Sequence, residues 1–393
     1  IYGQSLDSLI IQKYSLAFLS IISNGPILIA RDTRYHGKSL AKESITALLN
    51  QKRDVYDAGI IPTPTAQLYI KNNGFAGGII ITASHNPMEW NGMKFINSQG
   101  MFLDSENNKK LFNKVKNKRF INQNTVPLEN KLNKLTDCIE HHIKNICAIS
   151  TINIKDIKKK KFKVITDTTN GAASIALPRL LENLGCTIIA INNHMNSKKF
   201  PRGPEPIKTN LMELSKTVIK NNADLGLATD PDGDRLSIVD NKGEILGEES
   251  TLPACLLGLL FKNKIIHNVV VNLSTSMMID KIAEKQSINI LKSKIGERNV
   301  IDLMIKSKSS FGGEGNGGVI YPELQYARDA LIGTALLLNS LVETKMNMNE
   351  LNSLIPKFYM IKESIQIKKY DLYKLKKYLK LIFPKARFDF QDG

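Results

Sequence analysis

Short runs of consecutive apolar residues recur along this chain, each followed by a polar turn and then by helical periodicity. Ile27-Leu28-Ile29-Ala30 leads into Arg31-Asp32-Thr33-Arg34 and an amphipathic stretch from Ser39 to Gln51. Val164-Ile165-Thr166 leads into Asp167-Thr168-Thr169-Asn170-Gly171, then a helix-like stretch to Leu184 that stops at Gly185, a natural C′ glycine. Val269-Val270-Val271-Asn272 leads into Ser274-Thr275-Ser276 and another helical stretch to Lys285. Each segment reads as a strand, a turn, a helix and a return strand, which is a βαβ unit. Strands apolar throughout, alternating with helices, imply sheets covered on both faces. The pattern predicts an α/β protein of three similar mixed-sheet domains in tandem, over 1–148, 149–247 and 248–361. Linkers are expected near 148–160 and 240–250, and a further unit opens from 362 to 393.

Composition narrows the class. With 393 residues, 42% hydrophobic and 23% charged, the chain has material for several buried cores. Its most apolar stretch, Leu252 to Phe261, is too short to cross a bilayer, so no membrane partner is expected. Cys138, Cys147, Cys186 and Cys255 lack CxxC spacing, which argues against a zinc site or a disulfide framework and for a reducing, cytoplasmic setting. The net charge of +17 comes from lysines spread along the whole chain, without the clustering and aromatic interleaving of a nucleic-acid binder. The run Lys158 to Lys161 reads as a solvated linker, and His141-His142 as a surface pair on a lysine-rich helix. A positive surface still draws anionic substrates.

Three words carry the chemistry. Thr82-Ala83-Ser84-His85-Asn86-Pro87 follows the buried-strand run Gly77 to Ile81, and Pro87 discourages the strand from continuing. Ser84 therefore falls beyond a strand's carboxyl end, where α/β sheets place ligands. Asp230-Pro231-Asp232-Gly233-Asp234-Arg235 follows the apolar run Leu225 to Ala228. Three carboxylates at alternate positions repel one another without a cation; in a loop bent at Pro231 and Gly233 they can converge on one hard ion such as Mg²⁺. Arg235 adds a planar donor suited to phosphate oxygens. An EF-hand is ruled out, because Gly233 falls at position four and Asn241 stands where the bidentate Glu belongs. An aspartyl nucleophile at Asp230 stays open from this word alone. The third word, Gly312-Gly313-Glu314-Gly315-Asn316-Gly317-Gly318, contains a formal GxGxxG. A strand-like run broken by Pro322 follows it where a dinucleotide fingerprint needs a helix. Glu314 and Asn316 in such a loop suit sugar hydroxyls.

Together and in this order, the words resemble the α-D-phosphohexomutase family of phosphoglucomutases, phosphomannomutases and phosphoglucosamine mutases. Supporting matches are Arg31-Asp32-Thr33-Arg34, Asn91-Gly92-Met93-Lys94, Asn170-Gly171-Ala172, Pro204-Glu205-Pro206 and Lys294-Ile295-Gly296. The resemblance implies a phosphoserine at Ser84 and one Mg²⁺ held by Ser84, Asp230, Asp232 and Asp234. It implies transfer between a sugar 6-phosphate and a sugar 1-phosphate through a hexose 1,6-bisphosphate, by a monomer or homodimer. Arg31, His85 and Lys94 are then candidates for proton transfer and phosphate contact, and Glu314, Asn316, Lys294 and Arg235 for the substrate. Family members often carry Ser where this chain has Asn316 and His where it has Gly318, a difference that falls on the sugar-reading loop. The family's opening Gly-Ile-Arg-Gly segment is expected before Ile1, and most of its fourth, phosphate-binding domain after Gly393. The competing readings are an aspartyl-nucleophile sugar phosphatase and a non-catalytic sugar-phosphate-binding protein.

Overall fold

A computed structural model describes residues 1–117, 132–195, 198–361, 371–390 and 392. Its strands are β1 (Ile27–Arg31), β2 (Val55–Ile60), β3 (Gly77–Ile81), β4 (Met93–Asn97), β5 (Leu132–Lys134), β6 (Lys163–Asp167) and β7 (Thr187–Ile191). They continue as β8 (Leu225–Thr229), β9 (Leu236–Val239), β10 (Ile245–Gly247), β11 (Asn268–Asn272), β12 (Asn289–Ser293), β13 (Phe311–Glu314) and β14 (Gly318–Ile320).

The strands form three sheets, ordered β4-β3-β1-β2-β5, β10-β9-β8-β6-β7 and β12-β11-β13-β14. One plan underlies all three. The first strand of each unit is central, with the second and third parallel on either side of it and the fourth antiparallel to the third. β5 and β10 are additions at opposite edges. The crossover helices are Gly37–Leu49, Ala173–Asn183 and Met278–Lys285, each joining a first strand to a second. Gly185, with φ +74°, stands just past the second of these helices, as its C′ position requires. β3 and β8 are buried at every residue, which is why their sequences show no polar alternation.

One hydrophobic core runs through all three units, joining Leu28 and Ile80 to Val164 and Leu227 and to Val269 and Leu337. The helices Thr251–Phe261 and Ala330–Thr344 are apolar nearly all round because they lie inside this core. Among the described residues no helix is long and apolar enough to cross a membrane.

Both stretches expected to be linkers contain structure. Residues 148–160 include the helix Ile154–Lys160, whose N-terminus is capped by the Asn153 side chain, and the lysine run forms its last turn. Residues 240–250 include β10, which pairs with β9. The opening of the fourth unit at residues 362–370 lies outside the described residues, and Leu372–Ile382 is helical.

The shared plan explains where the chemistry lies. Ser84 and the acidic loop occupy the connection from the third strand of a unit to its fourth, and Glu314 is the last residue of β13, where that connection begins in the third unit. In each unit the turn after the first strand braces that connection from beside it.

Candidate active site

The Ser84 loop is held from within its own domain. Arg34, fully buried, donates to the backbone oxygens of Ser84 (2.7 Å), Asn86 (2.7 Å) and Pro87. Asp32 fixes Arg34 through Nε (3.0 Å) and accepts from the Thr82 hydroxyl (2.6 Å), which in turn accepts the Ser84 N–H (2.9 Å). Ser84 itself sits at φ +48°, a left-handed conformation that a side chain adopts only when its surroundings impose it.

Helix N-termini from all three domains grip the acidic loop. Thr63, at the start of helix Thr63–Asn72, donates its N–H to the Asp232 carbonyl (2.9 Å) and its hydroxyl to Asp232 Oδ2 (2.6 Å). Ala172, the N-cap of helix Ala173–Asn183, donates to the Pro231 carbonyl (2.7 Å). Ala330, the first residue of helix Ala330–Thr344, reaches the Gly233 carbonyl (3.4 Å). Three positive helix ends thus face a loop carrying three negative side chains. Gly233 has φ +72° and packs where a Cβ would stand 3.2 Å from Pro62 Cβ, so the turn requires glycine there.

Asp230, Asp232 and Asp234 are buried, and an oxygen from each lies within 4.8 Å of the others. Asp230 Oδ1 accepts the N–H groups of Asp234 (3.1 Å) and Arg235 (3.2 Å), while Oδ2 accepts the Ser84 hydroxyl (3.1 Å). The structure therefore brings Ser84 of the first domain onto the acidic loop of the second. Lys94, on β4, donates to Asp232 Oδ2 (2.7 Å) and Asp234 Oδ2 (3.4 Å). The Oδ1 atoms of Asp232 and Asp234 are buried without a hydrogen-bond partner. Two orphaned carboxylate oxygens beside a third carboxylate and a serine hydroxyl form an oxygen-only donor set, which fits a hard divalent cation such as Mg²⁺.

Protonation follows from this crowding. Burial, then repulsion from Asp234 and Asp232, pushes Asp230 well above the ordinary carboxylate range. Burial acts on Asp232 in the same direction, but Lys94 and the Thr63 hydroxyl outweigh it and hold that carboxylate well below the range. Burial alone would lower Lys94; its two aspartates overcome this and hold the ammonium charged above the ordinary lysine value. His85 accepts from Arg235 at Nδ1 (2.7 Å), so its proton belongs on Nε2, which lies 3.6 Å from Glu205 Oε1. Burial and then the Arg235 charge lower its pKa. Arg235 is tied to Glu205 by NH1 (2.9 Å).

Glu314 is buried, with four donors around it. Asn272 (2.7 Å) and the Gly296 N–H (3.1 Å) serve Oε1, and Arg328 (2.5 Å) and Asn316 (3.4 Å) serve Oε2. Burial would raise its pKa, but Arg328 and these hydrogen bonds outweigh that and lower it. Lys294 is exposed, two residues before Gly296. Arg31 stands apart: its guanidinium donates to the Asp32 carbonyl (3.2 Å) and lines a cavity with Tyr35, Lys38, Lys42 and Asp57.

Four contributors escaped the sequence reading. Arg328 joins Asp234 (2.6 Å), Glu314 and Glu297 (3.0 Å), tying the acidic loop to Glu314 at the end of β13. The signal available for its neighbourhood was Asp329, an N-cap before a long apolar helix. Arg34 and Thr63 act through backbone and loop contacts that no spacing reveals. The fourth is a correction: His142, expected at the surface, is fully buried, because its helix packs that face under the domain junction.

Comparison with known proteins settles the family. Models of the phosphoglucomutase/phosphomannomutase alpha/beta/alpha domains I, II and III match residues 1–122, 140–243 and 251–358. The chain belongs to this family, the α-D-phosphohexomutases. A phosphoglucosamine/phosphogalactosamine mutase of Sulfurisphaera tokodaii is 31% identical over 346 residues, covering 88% of this chain and 76% of that protein. A phosphoglucomutase/phosphomannomutase of Thermococcus kodakarensis is 32% identical, covering 86% and 73%. Among solved structures, a phosphoglucomutase/phosphomannomutase family protein of Burkholderia thailandensis superposes with a TM-score of 0.76 at 22% identity, covering 90% of this chain and 77% of that one. An N-acetylphosphoglucosamine mutase of Aspergillus fumigatus, solved with GlcNAc-6P and magnesium, gives 0.52 at 15% identity, covering 75% and 76%. The phosphohexomutase fold, expected from three words and a repeated pattern, is the fold present.

Proposed function

We propose that this phosphohexomutase interconverts a hexose 6-phosphate and its 1-phosphate by way of a phosphoryl group carried on Ser84 and a hexose 1,6-bisphosphate. The observation that carries this reading is the contact between Ser84 Oγ and Asp230 Oδ2 in a loop holding two further orphaned carboxylate oxygens. A Mg²⁺ bound by Ser84, Asp230, Asp232 and Asp234 would neutralise charge on the transferring phosphoryl oxygens.

The chain's own residues do the rest. A hydroxyl of the bound sugar attacks phosphorus, the bond from phosphorus to Ser84 Oγ breaks, and the proton lost by the sugar hydroxyl ends on the departing Oγ, which leaves as a free serine hydroxyl. Lys94, held charged between Asp232 and Asp234, supplies fixed positive charge to the acidic loop that Ser84 Oγ contacts. Arg235 offers a guanidinium braced by Glu205 and His85. With Arg235 on its Nδ1, His85 orients that guanidinium and has only its Nε2 proton to give. Glu314 reads sugar hydroxyls once the long Asn316 contact yields, since its other three donors are shorter. In the reverse half of the cycle the bisphosphate turns over, and its second phosphate returns to Ser84.

A phosphatase using Asp230 as nucleophile fits less well, because both Asp230 oxygens are already committed to loop N–H groups and to Ser84. The deciding experiment assays the full-length enzyme with the 6-phosphates of glucosamine, mannose and glucose in parallel, with and without the matching 1,6-bisphosphate. Conversion primed by bisphosphate and lost in Ser84→Ala is expected. Steady release of inorganic phosphate without priming, or full activity of Ser84→Ala, would refute the mutase cycle.

A further inference from the structure

His142 and Thr65 are buried, belong to no step of the reaction, and join two of the grips on the acidic loop. His142 lies on helix Cys138–Cys147, with Nε2 2.9 Å from Asp329 Oδ2 and Nδ1 2.8 Å from Thr65 Oγ1. A carboxylate only accepts, so Nε2 donates to Asp329, while Nδ1 pairs with the Thr65 hydroxyl. Each partner leads to the loop within two residues. Thr65 lies in the same first helical turn as Thr63, which holds Asp232 by hydroxyl and N–H. Asp329 stands between Arg328, which holds Asp234 Oδ2 at 2.6 Å, and Ala330, which reaches the Gly233 carbonyl. Gln325 runs a second tie between the same segments, donating to Asp329 Oδ2 (3.2 Å) and the Pro64 carbonyl (3.0 Å).

We propose that His142 is a positioning residue that sets the separation of the Asp232 and Asp234 carboxylates by locking the first-domain grip on one to the third-domain grip on the other. The proposal rests on reading the acidic loop as the cation site. The two orphaned Oδ1 atoms belong to these two aspartates; Lys94 bridges both, while Thr63 of the first domain grips only Asp232 and Arg328 of the third grips only Asp234. Beside the flexible Lys94 bridge, their spacing therefore depends on the distance between Thr63 and Arg328, which the loop itself does not fix. A small ion with a strict octahedron at about 2.0–2.1 Å tolerates an altered spacing poorly, whereas Ca²⁺, with longer and more variable bonds, tolerates it better. Loosening the tie should cost Mg²⁺ more than Ca²⁺.

The test is calorimetric titration of the full chain with Mg²⁺ and with Ca²⁺, for the parent, Thr65→Val, Thr65→Ser and His142→Gln. Thr65→Val keeps the shape and removes the hydroxyl; His142→Gln keeps an amide donor and loses the two-sided contact. About a tenfold loss of Mg²⁺ affinity is expected in Thr65→Val and His142→Gln, in the range seen when the supports of metal ligands are removed. A smaller loss for Ca²⁺, and recovery in Thr65→Ser, should accompany it. Unchanged Mg²⁺ affinity in both variants, or an equal fall for the two ions, would overturn the proposal while leaving the cation site intact. A parent chain that binds neither ion would overturn the cation reading beneath it, a result distinct from the other two.

Discussion

Replacing Asp230 by asparagine should make the ion-free protein more stable and abolish its stabilisation by Mg²⁺. The substitution is nearly isosteric: the amide oxygen can still accept the N–H groups of residues 234 and 235, and the amide nitrogen can donate to Ser84 Oγ. What changes is charge. Carboxylate oxygens within 4.8 Å repel by at least about 3.5 kcal/mol per pair at an effective dielectric near 20. Lys94 and Arg328 offset part of this, and proton uptake by Asp230 caps the rest, so a net gain of about 1–3 kcal/mol is expected. The sign with pH follows. Asp230 has a folded-state pKa above its ordinary 3.8, so its contribution to stability is full below that value and is lost as pH rises. The advantage of the variant should therefore be absent in acid and grow toward alkaline pH. Parent protein in Mg²⁺ at a hundred times the dissociation constant should gain about 2.7 kcal/mol, and the variant nothing. Thermal unfolding in EDTA and in Mg²⁺ across pH measures both. A variant less stable than the parent in EDTA, or stabilised equally by Mg²⁺, would refute the reasoning.

Two further outcomes test the network around the loop. Arg328→Met leaves Asp234, Glu314 and Glu297 buried without their shared cation and should cost about 3–5 kcal/mol at neutral pH in denaturant unfolding; a loss under about 1 kcal/mol would deny the arginine that role. Burial pushes Glu297 up from 4.5 to about 7 despite Arg328, so its contribution to stability is complete below pH 4.5 and falls away as pH rises to about 7, by at most about 3 kcal/mol. Glu297→Gln should flatten that part of the stability curve, and an unchanged slope between about pH 5 and 8 would refute the assignment.

How much of this was legible in the sequence depends on which kind of contact carries each feature. The strand-turn-helix period and the glycine stop at Gly185 are local, and they led to three repeated units. Ser84, the acidic loop and Glu314 were legible for the same reason, since each word sits at the end of one strand or on the turn after it. The His142 burial and the Arg328 bridges were not, because they arise only when separate units pack together: Arg328 meets Asp234 across 94 residues and His142 meets Asp329 across 187. A polar residue on a lysine-rich helix carries no mark of which face will be covered by a later domain.

That division bears on how the site works. One plan, used three times, gives each domain a third-to-fourth-strand connection at its rim: a serine on one, carboxylates on the next, a glutamate where the last begins. None of these connections is sufficient alone. The acidic loop meets one helix N-terminus from each domain, and its charges are offset by Lys94 of the first and Arg328 of the third. A cation bound there would therefore report on the packing of all three domains at once. On this view a substitution at a domain junction far from Ser84 should show itself in metal affinity before it shows itself in the fold of any single domain.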